Sequence, residues 1–282
     1  YRVGMLVSTA GALFAVSGFQ ADGFGKTAAW HLGYAAMAAL VLVGTVTALV
    51  ATEPERSALA EAAHAHQKPF ARVAEAAVGA FRDFLSTEMA FTMLAFVVLF
   101  KFTDALSGAM TAPFVIDLGF TRNEYATIVK GVGLAALLAG GFAGGFVARA
   151  LPLATSLWIG AILQAAANLG FCWVATRGHD LTALTVAITL ENFTSAIGTV
   201  MFVAYLSVLC QNPLHTATQY ALLTALAAVG RTYLSSGAGF IAESAGWVWF
   251  FVICALAGLP SLALLAWLQR HGHFTRLEPK KS

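Results

Sequence analysis

The stretch GWVWFFVICALAGLPSLALLAWL, residues 246–268, carries no charged side chain from end to end. A bilayer core about 30 Å thick is crossed by about 20 apolar residues in helical conformation. The run is continuous rather than alternating, which selects a helix over a barrel strand. Working outward from it, runs of the same kind occupy about 2–19, 28–50, 88–110, 124–148, 152–175, 181–210 and 216–241. The sequence therefore predicts an all-α integral membrane protein with eight transmembrane helices.

Composition excludes the soluble classes. Apolar residues make up 59% of the 282-residue chain and charged ones 11%, against about 25% charged in an average globular protein. The mean hydropathy is +0.76. So few charges cannot coat a water-facing surface. The formal charge of +2 comes without a long basic run, so no nucleic-acid partner is expected. Cys172, Cys210 and Cys254 lie singly in apolar stretches and read as small buried hydrophobes.

Orientation follows from lysines and arginines outside the spans. One side holds Arg2, Arg56, Lys68, Arg72, Arg82, Arg149, Arg270, Arg276, Lys280 and Lys281; the other holds Lys26, Arg122 and Arg177. The richer side, with the 51–87 loop and the C-terminus, is expected to be cytoplasmic. Within that loop Phe70, Val73, Ala77, Phe81 and Phe84 recur at helical steps, with Arg72, Glu75, Arg82 and Asp83 turned away. This predicts an amphipathic helix on the membrane surface. His64 and His66 lack further ligands nearby and read as solvated loop residues rather than a metal site.

The loop separates residues 1–50, with two spans, from residues 88–270, with six; 271–282 form a tail. Six helices after a long cytoplasmic loop match half of a twelve-helix transporter plan. The two spans before the loop are then the last two of an N-terminal half, with four helices expected ahead of them.

A charge at mid-bilayer costs about 3 kcal/mol, so each needs a partner or a role. Five charges qualify: Lys101, Asp104, Lys130, Glu191 and Arg231. Lys101 and Asp104, three residues apart, read either as a local ion pair or as a titrating carboxylate held by its cation. Glu191 opens the stripe Glu191, Thr194, Ser195, Gly198, Phe202, Tyr205 and is assigned proton or substrate handling. Arg231, on the stripe Thr224, Ala227, Ala228, Arg231, Ser235, either pairs with Glu191 or clamps a substrate anion. Lys130 lies near a span end, where it can snorkel. Gln164, Asn168, Asn192 and Gln219 are open to interhelical hydrogen bonds or solute contact. Three cations against two carboxylates leave one positive charge over, pointing to an anionic or zwitterionic solute. Gly140, Gly141, Gly144 and Gly145 form two overlapping small-xxx-small pairs for close helix packing. No phosphate loop, metal cluster or nucleophile–base–orienter trio is visible, so neither a cofactor nor an enzyme is expected.

The motifs FKFTDAL at 100–106, IVKGVGL at 128–134, ILQAAANLGF at 162–171, ENFTSAIGTVMFVAYLSVLC at 191–210 and ATQYALLTALAAVGRTYLSSGAGF at 217–240, with Glu243 and Gly246-Trp247 after them, resemble the AmpG-type muropeptide permeases of the major facilitator superfamily. YRVGMLVS at the start matches as well, and on the family pattern Tyr1 falls in the fifth helix. The resemblance implies a major facilitator-like bundle in the bacterial inner membrane. It also implies proton-driven import of N-acetylglucosaminyl-1,6-anhydro-N-acetylmuramyl peptides in cell-wall recycling. It makes Asp104 and Glu191 the proton-coupling candidates, and Lys101, Lys130, Asn192, Gln219 and Arg231 the substrate or counter-ion candidates. The alternatives are another anionic solute such as acetyl-CoA on the same scaffold, or a membrane fragment that does not transport.

Overall fold

The computed structural model describes residues 11–52, 78–210 and 215–277. His64, His66, Phe70, Val73 and Ala77 lie outside these. All regular structure among the described residues is helical, and the chain divides into units 1–63 and 64–282. In the first, α1 (Ala12–Ala21) and α2 (Lys26–Val50) form a hairpin around Gly23, whose φ of 91° suits glycine. Gly33 of α2 gives room to the Val16 side chain of α1.

Among its described residues the second unit opens with α3 (78–85) and α4 (Ala90–Phe100). Next come α5 (Phe102–Asp117), a π-helical turn (Ala126–Val132) leading into α6 (Gly133–Ala150), α7 (Leu153–Arg177) and α8 (Leu181–Leu209). The chain closes with α9 (Thr216–Ser235), α10 (Ala238–Leu256), α11 (Leu259–Arg270) and the short α12 (His273–Leu277).

Among the described residues, six helices are long and apolar enough to cross a membrane: Lys26–Val50, Ala90–Asp117, Asn123–Ala150, Leu153–Arg177, Leu181–Leu209 and Ala238–Arg270. The expected eight are not all among them. Residues 2–10 of the first expected span lie outside the described residues, and α1 has only 10 residues. α9 has the length, but Gln219, Thr224, Arg231 and Thr232 make it too polar to count.

One boundary moves. The sequence places a turn between 241 and 246; the chain instead turns at Ser236–Gly237, and Ala238–Ala242 already belong to α10. The signal that misled is Gly246, which adopts φ 75° and ψ 164° inside α10. It interrupts the helix without reversing it.

The surface helix also differs from expectation. Phe81 is exposed, but Phe84 packs into the core. Asp83 turns inward, where the buried Gln219 amide donates to its Oδ2 at 3.0 Å. A carboxylate near a buried amide satisfies a donor that would otherwise be lost, and this outweighs the simple amphipathic pattern.

The four glycines of α6 divide by face. A side chain at Gly140 would strike the Phe193 backbone of α8, and at Gly144 it would come within 3.1 Å of Ile197 Cα and Val200 Cβ; Gly141 and Gly145 face open space. Outward rings such as Phe142 and Phe146 of α6 suit lipid contact.

The buried apolar residues form two clusters. One gathers Phe96, Phe100, Leu157, Phe202, Tyr205 and Leu265. The other gathers Phe114, Phe171, Leu184, Ile188, Phe250 and Phe251. Along α4–α5, α7 and α8 a short polar stretch separates them. Cys210 and Cys254 are buried and Cys172 half-buried, all as free thiols.

At the end bearing α3, α12 folds back so that His273, 5% exposed, lies with Nε2 3.1 Å from the Tyr205 hydroxyl. Arg276 of α12 pairs with Glu88. Burial, then the Arg276 charge, lowers the His273 imidazolium to about 4 from the ordinary 6.5.

Two outcomes follow. Gly140→Ala should destabilise the protein by about 1–3 kcal/mol, while Gly141→Ala leaves it within about 0.5 kcal/mol, measured by chemical unfolding in detergent. Because the folded state binds the His273 proton less readily than the unfolded chain, its contribution is full above pH 6.5 and lost as pH falls toward 4. The melting temperature should fall across that window and lose this slope in His273→Gln; an unchanged slope in the variant would count against it.

Candidate functional site

The polar layer is assembled by three stretches of chain. Lys101 sits between α4 and α5 with φ −96° and ψ −1°, where the two helix segments join. Asp104 follows in the first turn of α5. Their side chains are 14% and 17% exposed, and Lys101 Nζ lies 2.8 Å from Asp104 Oδ2. The ion pair expected from their spacing is therefore present.

The carboxylate has more partners than its own helix provides. Ser195 of α8 donates to Oδ2 at 2.8 Å, and Gln164 of α7 donates to the same oxygen at 3.2 Å. Lys101 also donates to Thr199 Oγ1 at 2.8 Å, while Thr199 donates its own proton to the Ser195 carbonyl at 2.7 Å. Charge-assisted bonds to one carboxylate oxygen, between two dry clusters, are stronger than the same bonds in water.

Glycine makes the α7 contact reachable. Gly198 lies one helical turn from Ser195, and a Cβ there would overlap the Gln164 amide. The Gly198 Cα is 3.1 Å from where a Cβ on Gly160 would sit. The two helices thus approach through paired notches, and Gln164, 3% exposed, passes over α8 to Asp104.

Glu191 begins the face of α8 that continues through Ser195 and Thr199. Asn192 donates to its Oε2 at 2.8 Å and to the Ile188 carbonyl at 3.0 Å. No ion pair joins Glu191 to a cation among the described residues. The expected Glu191–Arg231 alternative is thus not realised: Arg231 is exposed on α9. Lys130 is exposed too, with Nζ 5.7 Å from the Tyr125 ring centre. Gln219 stands apart from the layer, at the Asp83 end, with its Oε1 buried and unpartnered.

The structure thus brings together Lys101, Asp104 and the Glu191–Asn192 face of α8, and leaves Lys130, Gln219 and Arg231 elsewhere. Sequence reading left Gln164 open to an interhelical hydrogen bond or a solute contact, and the structure gives it the hydrogen bond, to Asp104. It missed Thr199, whose only signal was a polar residue on the inner face of an apolar helix.

Long apolar helices around a layer of internal charges define a multi-pass membrane protein. The chain is 35% identical over 270 residues to the putative transporter AmpG 4 of Rickettsia felis, and 36% identical over 279 residues to the anhydromuropeptide permease of Escherichia coli K12. These matches cover 96% and 98% of the chain. No family model matches it. The chain is homologous to the AmpG-type permeases over nearly its whole length. It spans 62% of the Rickettsia protein and 53% of the Escherichia protein. Both relatives are named as transporters and not as enzymes, in keeping with the sequence reading.

Replacing Asp104 with Leu leaves the Lys101 ammonium without its anion and should cost about 3 kcal/mol. Adding Lys101→Met should recover most of that loss. Chemical unfolding of the two single variants and the double closes the cycle; additive losses would mean that the pair is not coupled.

Proposed function

We propose that this chain is the C-terminal six-helix half, with two preceding helices, of a proton-driven importer of peptidoglycan-derived anhydromuropeptides. The fold would be a major facilitator-like bundle in the bacterial inner membrane, with the 51–87 loop and the C-terminus on the cytoplasmic side. The homology to named permeases supports the solute class. The observation that carries the mechanism is the charged layer at mid-span, where helix faces from α5, α7 and α8 meet.

Its two carboxylates differ in their surroundings. Asp104 is neutralised by an ammonium and two neutral donors, so it acts as a fixed anion. Glu191 meets one neutral amide and takes the role of proton carrier. Loading and unloading Glu191 changes the charge on α8 by one, which shifts the balance between two arrangements of the bundle. Arg231 and Lys130, both without an ion-pair partner among the described residues, supply the positive charge that an anionic solute group would meet.

The test uses the full-length gene product in vesicles supplied with labelled anhydromuropeptide. Uptake should depend on the proton gradient and collapse with a protonophore. Glu191→Gln should lose gradient-driven accumulation while remaining inserted and folded. Absence of uptake by the unmodified protein would remove the solute assignment, and normal accumulation by the variant would remove Glu191 from the mechanism.

A further inference from the structure

The Asp104 carboxylate is bonded from one side only. Lys101, Ser195 and Gln164 all donate to Oδ2, and no donor from the described residues reaches Oδ1. Oδ1 is not among the buried unpartnered atoms either, and the Lys101 and Asp104 side chains keep 14% and 17% exposure, so the pair is not sealed off. Lys101 is the complement: its ammonium has three N–H groups, and two are used, on Asp104 and Thr199. One acceptor and one charged donor are therefore left over on a pair whose net charge is zero.

These free valences are fixed in direction. Gln164 and Ser195 hold Oδ2 from α7 and α8, so the carboxylate cannot swing to turn Oδ1 inward without giving up both bonds. The notch at Gly198 puts the Gln164 amide there. The site is a pre-oriented dipole rather than a mobile surface ion pair.

A dipole of this kind selects by charge pattern. A ligand with only a carboxylate would gain Lys101 but press against Asp104 in a low-dielectric layer. One with only an ammonium would gain Asp104 but press against Lys101. Each like-charge approach is costly away from water. A ligand group carrying both charges, aligned head to tail with the pair, leaves every charge compensated.

We propose that Lys101 and Asp104 form a receptor for a zwitterionic, peptide-like group of a ligand, with the ligand ammonium on Asp104 Oδ1 and its carboxylate on Lys101 Nζ. Ser195, Thr199 and Gln164 are positioning residues that aim the two free valences. The Glu191 carboxylate, one turn from Ser195 on the same face of α8, reinforces the ammonium side. This rests on reading the charged layer as a solute site, and it deepens that reading by naming the solute group recognised there.

Binding can be measured apart from transport. The full-length gene product in lipid nanodiscs is heated with alanyl-alanine, with N-acetyl-alanyl-alanine, which lacks the ammonium, or with alanyl-alaninamide, which lacks the carboxylate. A ligand that binds only the folded state raises the melting temperature in proportion to its affinity. The dipeptide should bind, and each capped analogue should bind about tenfold more weakly, the size of one charge-assisted hydrogen bond. Asp104→Asn should erase the preference over the acetylated form, and Lys101→Met the preference over the amide. The three compounds on the unmodified protein decide the matter even where a variant fails to fold. Equal binding of the capped forms, no binding of the dipeptide, or preferences that survive both substitutions would overturn the proposal. Muropeptide uptake without a zwitterion preference would overturn this inference alone; a preference without uptake would overturn only the transport reading.

Discussion

A carboxylate in the middle of a membrane-spanning helix has no water to lean on, and the whole second unit is arranged around meeting that demand at Asp104. Its own helix provides the ammonium of Lys101. The other two donors come from α7 and α8. Because Oδ2 must be reached from separate helices, their spacing is set by the length of a serine and a glutamine side chain. The glycines at 160 and 198 then follow, since they let the α7 and α8 backbones come that close. The aromatic clusters border the layer on either side, and polar bonds flanked by apolar packing are strong and costly to lose.

The same demand explains why a polar layer and close packing occur together. In lipid, helices gain little from burying apolar surface against one another. What distinguishes the correct arrangement of α5, α7 and α8 from a slipped one is the directional network. A slip of α8 by one residue would carry Ser195 and Thr199 away from their partners on the α4–α5 segment, while the apolar contacts would be exchanged for similar ones.

How much of this was legible in the sequence depends on distance along the chain. The long apolar runs gave helices at nearly the right places, since a bilayer imposes a length that composition alone reveals. The Lys101–Asp104 pair was legible because its partners are three residues apart. Gln164 was legible only as a choice between an interhelical hydrogen bond and a solute contact, because its acceptor is 60 residues away and nothing local names it. Asp83 was assigned to the outer face by periodicity, and a single buried amide on α9 reverses that. Arg231 and Glu191 were natural partners by charge, yet they share no ion pair, because charge arithmetic carries no information about direction. The turn at Ser236–Gly237 was concealed by a second, more conspicuous glycine ten residues on.

That glycine leaves its mark on how the bundle can bend. With Gly246 at φ 75° and ψ 164°, the hydrogen-bond ladder of α10 is cut into an outer piece and an inner one. The next residue, Trp247, is pinned through its indole N–H to Asp117 at 2.6 Å and stacked among Phe114, Phe250 and Phe251. Ala238 and Ala242 before the break, and Phe250, Phe251 and Cys254 after it, are buried in the same apolar cluster. The helix is thus interrupted at one residue while the pieces on both sides keep their seats, a seam stitched down along both edges.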